Sequence, residues 1–350
     1  MPVQSHNDWD QLEEIVVGIA DYAMLPTINK STHSFCYAGE TVENIKKLQG
    51  SHNQTVIDEA NEDLDRLATE LKTLGVIVHR PTPIDHSKEF STPEWKTTGW
   101  YTYCPRDLLL PLDNTIIECP SPMRARYFET RAYYDLLYKW MSEGTRWICA
   151  PKPILNDDSY QLDDLVEPTL LNKEIVFDAP NIVRLGKDLL FQVSNSGNKL
   201  GYDWLKSIVG DRYNIHLAEK YYSFSHFDST VIPLRPGLVL FNGDRCNPNW
   251  YPPIFESWDK IFFPGENVVD IGSNLENGVS PCSKYIGLNF LSVNPELVIC
   301  DENQNELRRE LDKWGIETIG LPMRQARTLS GGFHCVTLDV KRKGKLESYF

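Results

Sequence analysis

The sequence predicts an α/β fold made of repeated strand–turn–strand–helix units packed around a common axis. Three observations carry that expectation. Apolar, β-rich runs flank a tight turn again and again, and an amphipathic segment follows each. These units recur at roughly 50–75 residues, a spacing typical of structural repeats that cannot bury a face alone. No Pro/Gly/Ser-rich linker divides the 350 residues, so residues 1–350 are expected to form a single domain.

The first strand is placed at Leu12–Ala20 on the run Ile15-Val16-Val17. Residues 21–54 mix polar and turn types and are expected to be a long loop that covers the functional pocket. Thr55–Leu74 reads as a helix because Ile57, Ala60, Leu64, Leu67, Leu71 and Leu74 fall at helical spacing. Val76-Ile77-Val78 is the strand after it. Leu108–Cys119 should form a hairpin turning at Asp113-Asn114, with a helix over Arg126–Met141. Ile182–Val193 turns at Gly186-Lys187 and leads to a helix over Lys199–Val209. Thr230–Phe241 turns at Pro236-Gly237 and leads to a short helix over Pro253–Asp259. Ile286–Cys300 turns at Asn294-Pro295, with a helix over Asn303–Trp314. A last strand pair is expected around Cys335.

Net charge is −14, which argues against nucleic acid or an anionic membrane surface as partner and suits a small cationic substrate. No apolar run approaches the ~20 residues of a membrane span. Residues 1–8 carry no basic stretch followed by an apolar one, so no secretory signal is expected, and a cytoplasmic location is. Eight cysteines without a dense framework are then expected to be reduced thiols. No Cys-x-x-Cys pair is present, so a structural zinc is not expected, and the chemistry read below calls for no metal and no organic cofactor.

The chemistry-bearing residues sit at matching places, just ahead of successive hairpins. They are Cys104-Pro105-Arg106-Asp107, Phe177-Asp178-Ala179-Pro180-Asn181, Ser225-His226-Phe227-Asp228 and Pro281-Cys282-Ser283-Lys284, with Gly331-Gly332-Phe333-His334-Cys335 in the final unit. Equivalent positions around a rotation axis converge on one point. Taken alone, Cys335 is either a nucleophile made approachable by two glycines or a buried structural thiol. His226 and Asp228 are two apart and would share one face of a strand. By the same rule His334 would point away from Cys335 and serve as a core or hydrogen-bonded histidine. Asp178 lies in an apolar run and needs a partner, whereas Asp107 follows Arg106 and could simply pair on the surface. Together the parts suit a guanidinium, which is planar, cationic and rich in donors. Asp107, Asp178 and Asp228 can cage it, a thiolate can attack its carbon, and a histidine can move the proton.

At these residues the chain resembles the amidinotransferases, and the match runs along almost its whole length. It includes Asn7-Asp8-Trp9-Asp10, Glu13-Glu14-Ile15-Val16-Val17-Gly18, Ala150-Pro151-Lys152-Pro153 and Asp244-Arg245 besides the segments above. Ser194-Asn195-Ser196-Gly197-Asn198 and Pro233 to Leu240 place it nearest the inosamine-phosphate branch. The resemblance implies a five-bladed α/β-propeller of the pentein type, built of ββαβ modules. It implies Cys335 as carrier of the amidino group, with His226 and Asp178 completing the catalytic set. It further implies that Asp107 and Asp228 bind the donor guanidinium, Arg245 the donor carboxylate and Ser283 the donor backbone. L-Arginine and an amine acceptor are the implied substrates, and a homodimer is expected.

The chain departs from the family pattern in places. Ser330 replaces the first of three glycines, Cys282 the first of two serines, and Gly243 the proline of an Asn-Pro-Asp-Arg run. Phe224-Ser225 stands where the glycine-specific enzymes carry Pro-Met. A small Ser225 predicts an acceptor bulkier than glycine, hence an inosamine phosphate-like or saxitoxin-type guanidine pathway. A ping-pong reaction releasing ornithine follows, with the thiolate favoured by a nearby imidazolium and by the bound guanidinium. An arginine deiminase-like hydrolase and a non-catalytic guanidine-binding protein are the alternatives.

Overall fold

The computed structural model describes residues 1–37, 40–162, 168–271 and 279–350. Five three-stranded sheets are arranged as the blades of an α/β-propeller. In each blade the inner strand runs antiparallel to the middle one, and the middle strand runs parallel to the outer one. A parallel pair needs a crossover, and in four blades an α-helix supplies it. The second blade uses Leu109–Leu112, Thr115–Glu118 and Arg146–Cys149. The third uses Ile182–Leu185, Asp188–Gln192 and Asn214–Ala218. The fourth uses Val231–Arg235, Leu238–Asn242 and Asp259–Phe263. The fifth uses Leu291–Asn294, Leu297–Asp301 and Glu317–Leu321.

The first blade closes the ring. Its inner strand, Thr337–Arg342, comes from the end of the chain and pairs with Leu12–Val17 from the beginning, which in turn pairs with Ile77–His79. The expected last strand pair is therefore made with the N-terminal strand, and Cys335 precedes it in a turn.

Tight turns follow the local chemistry. Gly186 and Gly237 take φ of 70° and 82°, which side chains with a Cβ rarely adopt, and each closes a hairpin. Asn294 Oδ1 accepts from Glu296 N at 2.8 Å, an Asx turn that closes the fifth hairpin.

The helices match their apolar spacing, with local differences. Two short helices, α1 (Lys30–Cys36) and α2 (Val42–Lys46), together with a small hairpin of Met24–Leu25 and Gly50–Ser51, occupy the stretch expected to be a loop. Residues 38 and 39 of that stretch lie outside the described residues. Helix α3 (Gln54–Thr73) buries Ile57, Ala60, Leu64, Leu67 and Leu71. Helix α4 (Tyr134–Ser142) begins later than the Arg126 expected, because 3-10 turns at Arg124–Arg126 and Glu129–Tyr133 come first. A turn of that kind eclipses residues three apart, and Glu129 folds back onto Arg126. Helix α5 (Lys199–Val209) is where it was expected, and α6 (Asn305–Lys313) is slightly shorter than expected. The fourth crossover is only one 3-10 turn, Pro253–Phe255, since Asp259 already starts the outer strand. Lys284–Leu288 is also a 3-10 turn, so the fifth hairpin starts at Leu291.

Apolar faces of neighbouring blades meet in shared cores. Val183, Leu185 and Leu190 of the third blade pack with Val231, Val239 and Phe241 of the fourth and with Trp9. The axis is charged. Asp339 is fully buried and bonded by Arg106 Nη2 at 2.7 Å, Arg184 Nη2 at 2.8 Å and Arg342 Nε at 2.6 Å. Burial opposes its charge, but these three guanidiniums hold it well below the usual carboxylate range. Among the described residues no helix is long and apolar enough to cross a membrane.

Candidate active site

Each inner strand is entered through a tight turn, and those turns supply the site. Asp107 ends the 3-10 turn Pro105–Asp107, and Asp178 immediately precedes the 3-10 turn Ala179–Asn181. Proline near the start of both turns presets φ where no amide donor is needed. Asp228 lies in a turn closed by Thr230 N donating to Phe227 O at 2.8 Å. Asn289 follows the turn Lys284–Leu288, and Cys335 sits in a turn closed by Val336 N donating to Gly332 O at 3.0 Å. His226, Asp228, His334 and Cys335 are thus on turns or irregular chain rather than strands, so alternation of faces does not govern where they point.

The candidate residues come together. His226 Nε2 is 3.0 Å from Asp178 Oδ2, and Nδ1 is 3.7 Å from Asp107 Oδ1. Cys335 Sγ is 3.4 Å from Asp228 Oδ2. The same oxygen accepts from His334 Nδ1 at 2.9 Å. His334 therefore shares a carboxylate with Cys335, contrary to the expectation that it points away. Phe35 of α1 places its ring edge-on to His226, with centroids 5.5 Å apart. Arg245 donates to Thr230 Oγ1 at 2.8 Å and to Ser283 Oγ at 3.2 Å. Its guanidinium lies over Tyr222, 3.5 Å from the ring centroid. Ser225 and Phe224 are half-buried in the segment leading to His226.

Electrostatics divide the site into two parts. Burial alone would lower His226, but Asp107, the bond to Asp178 and the field of Asp228 outweigh it and raise it to about 9. Burial raises Asp228, yet His334, His226 and Asn289 bring it down to about 2. Asp107 is raised by burial, against the pull of Arg126 and His226. Cys335 is pushed well above the ordinary thiol value by a hydrogen bond with Cys104, by burial and by Asp228 and Asp107. Without a bound guanidinium, the nearby imidazolium does not make the thiolate the favoured form, because the Cys104 hydrogen bond, burial and the two acids all act in the other direction.

Two buried carboxylate oxygens, Asp107 Oδ1 and Asp178 Oδ1, have no hydrogen-bond partner among the described residues. Their sister oxygens are used: Asp107 Oδ2 by Arg126 Nη1 at 2.5 Å, Asp178 Oδ2 by His226. A buried acceptor left over is costly unless a donor arrives. Chemically, the arrangement offers a cation-binding cage, a nucleophile and a proton carrier. Among the described residues no group of three or more His, Cys, Asp and Glu is placed to hold a metal ion.

No protein-family model matches the chain. Comparison with individual proteins is decisive. The chain is 46% identical over 348 residues to inosamine-phosphate amidinotransferase 1 of Streptomyces griseus, covering 99% of each. The solved structure of that enzyme matches with a TM-score of 0.95. The chain belongs to the amidinotransferase family. The L-arginine:L-lysine amidinotransferase of Pseudomonas savastanoi pv. phaseolicola is 36% identical, over 99% of this chain and 96% of that one. The structure of SxtG, an amidinotransferase of the saxitoxin pathway from Microseira wollei, matches over the full length of both chains with 35% identity and a TM-score of 0.88.

In this amidinotransferase the sequence pattern missed two supports. Arg126 is fully buried and clamped between Asp107 and Glu129, with its guanidinium 5.3 Å from the ring centroids of both Trp100 and Tyr101. An arginine 19 residues beyond Asp107, outside every motif, gives no signal on its own. Asn289 Oδ1 accepts from the backbone N–H of His334 at 3.1 Å and of Cys335 at 3.0 Å. Its place after the fourth motif, equivalent to the acids of the other blades, was the available clue.

Proposed function

We propose that this amidinotransferase, acting as one propeller domain in the cytosol, moves the amidino group of L-arginine through Cys335 to an amine bulkier than glycine, releasing ornithine. The single observation that carries the donor reading is the pair of buried oxygens on Asp107 and Asp178 that lack a hydrogen-bond partner, in the site that also holds Cys335. A guanidinium supplies planar N–H donors to both, and to Asp228, in one plane. Arg245, held by Thr230 and Ser283, takes the donor's carboxylate at the other end.

The Cys104 hydrogen bond, burial and the nearby carboxylates keep the thiol protonated, and a bound guanidinium opposes the carboxylates' share of that field. Cys335 Sγ then attacks the guanidinium carbon and forms a C–S bond. The C–N bond to the leaving amine breaks as His226, an imidazolium at neutral pH, protonates that nitrogen. One proton leaves sulfur and one arrives on ornithine. Asp228 Oδ2, 3.4 Å from Sγ, is the first acceptor the thiol proton meets; it holds that proton until the C–S bond breaks and the thiolate takes it back, while His226 is left neutral, ready for the acceptor's proton. The acceptor amine attacks the amidino carbon, gives its proton to His226, and breaks the C–S bond.

Ser225 and Phe224 would line the acceptor side, where a serine leaves more room than the methionine of the glycine-specific enzymes. The resemblance to enzymes named for inosamine phosphate and for the saxitoxin pathway supports a specialised-metabolite acceptor. A homodimer is the expected assembly, to be checked by sedimentation. Mass spectrometry with L-arginine alone should find an amidino adduct on Cys335 and one equivalent of ornithine. Citrulline and ammonia instead would make it a hydrolase. In an amine panel offered to the adduct, glycine winning the competition would end the bulky-acceptor reading.

A further inference from the structure

We propose that His334 is a positioning residue that fixes the Asp228 carboxylate for the donor guanidinium and ties it to the charge cluster on the propeller axis. The inference rests on the arginine-donor reading above.

The geometry places the imidazole between two acids. An ionised carboxylate only accepts, so His334 Nδ1 donates to Asp228 Oδ2, at 2.9 Å. Nε2 faces Asp8 Oδ1 at 3.8 Å, and Asp8 is itself paired with Arg184. The backbone is pinned as well: the His334 carbonyl accepts from Arg106 Nε at 2.7 Å, and Arg106 continues to Asp339. With Asp8, Arg106, Arg184, Asp228 and Ser292, His334 lines a small axial cavity. The ring therefore spans the gap between the substrate cage and the rigid axis.

Asp228 needs such a brace. It shares the site with Asp107 and Asp178, and like charges in a dry pocket drive a carboxylate to take up a proton or turn away. The oxygen that His334 holds is the one that Cys335 Sγ faces. Fixing it orients the other oxygen's plane toward the cage and keeps the nucleophile beside it. Without the Nδ1–H donor, Asp228 retains Asn289 and the field of His226 but loses the partner that contributes most to keeping it ionised. The loss should appear first in donor binding.

The test is the single-turnover release of ornithine as L-arginine concentration is varied, with no acceptor present. His334→Ala should raise the half-saturating arginine about tenfold or more, with a smaller fall in the limiting rate. His334→Asn, whose side-chain N–H takes the place of Nδ1–H, should stay within about threefold of the wild type. His334→Gln reaches the Asp8 side but not Asp228 and should behave like alanine, which keeps the contrast available if the alanine variant does not fold. Unchanged half-saturation in both the alanine and glutamine variants overturns the proposal. Equal impairment of all three variants, in step with lower melting temperatures, also overturns it, because the role is then only structural. A wild-type protein that releases no ornithine removes the arginine reading and this proposal together, whereas a wild-type burst that ignores His334 removes this one alone.

Discussion

His226 Nε2 lies 3.0 Å from Asp178 Oδ2, and this pairing adds to Asp107 in keeping the candidate proton carrier charged. Burial lowers His226, while Asp107, Asp178 and Asp228 raise it to about 9. Its imidazolium is therefore the populated form at neutral pH, and the acid limb needed for ornithine departure extends upward. Asp178→Asn removes a raising partner, so the pKa falls and the basic limb of ornithine release moves to lower pH. Above neutral pH the rate should drop about a hundredfold or more. The linkage has the same sign for stability: a raised histidine stabilises the fold below its ordinary value of 6.5 and loses that contribution as pH climbs through about 9. A pH series of single-turnover rates and of denaturant midpoints checks both. An unshifted basic limb in Asp178→Asn would remove His226 as the acid.

Cys335 is buried in a turn whose bond to Asn289 runs through its backbone, so Cys335→Ala removes one sulfur atom and leaves the turn's own hydrogen bonds in place. Cys335→Ala is expected to melt cooperatively, close to the wild-type temperature, and to form no adduct with arginine. Intact-protein and peptide mass spectrometry read this out. An adduct that persists at Cys104, the neighbouring thiol, would move the nucleophile to that residue.

Much of the propeller was legible because its signals are local. The hairpins at Gly186 and Gly237 and the stripe Ile57–Leu71 need only turn chemistry and spacing. The convergence of Asp107, Asp178, His226, Asp228 and Cys335 could be anticipated because each stands ahead of an inner strand. The rest depended on conformation the pattern does not carry. His334 was expected to face away from Cys335 because a strand was assumed, and the turn after Gly332 puts both side chains on Asp228. The stretch 21–54 was expected to be a loop because α1 and α2 are too short for a periodic stripe. The state of the Cys335 thiol depends on the sum of surrounding charges, which no single motif contains.

Arg126 illustrates what that sum requires. It is fully buried, with Asp107 on one side and Glu129 on the other. Burial raises Glu129 to about 7 even against the pull of Arg126. Arg126→Met would leave two buried acids without their cation, at a cost of about 3–5 kcal/mol. We expect a large fall in the denaturation midpoint at neutral pH, and partial recovery as the pH is lowered and the two acids take up protons. Arg126→Lys should recover part of the stability but little activity, since one ammonium cannot bridge both carboxylates in the plane of a guanidinium. Equilibrium denaturation at two pH values together with arginine half-saturation tests this. A methionine variant as stable as the wild type at neutral pH would mean that the clamp is not needed.

The turn that presents Cys335 is held from outside itself. Asn289 Oδ1 accepts both the His334 and the Cys335 amide, at 3.1 and 3.0 Å, while Gly332 lies against the same asparagine. A Cβ on Gly332 would come within 2.8 Å of the Asn289 carbonyl oxygen, a backbone atom that cannot swing aside. Gly332→Ala should therefore displace the turn, and Asn289→Ala should strand two amide donors at a cost of about 1–3 kcal/mol. Both changes move Sγ relative to the cage, and a displacement of about 1 Å is enough to cost roughly a hundredfold in rate. The expected signature is a limiting rate of ornithine release that falls far more than arginine binding, because Asp107 and Asp178 are untouched and Asp228 keeps His334, its stronger partner. Asn289→Asp keeps the accepting oxygen and should recover the turn, although its added charge beside Asp228 works against formation of the thiolate. Measured binding and rate that fall in equal proportion for Asn289→Ala would mean that this asparagine supports the whole cage rather than the nucleophile's turn.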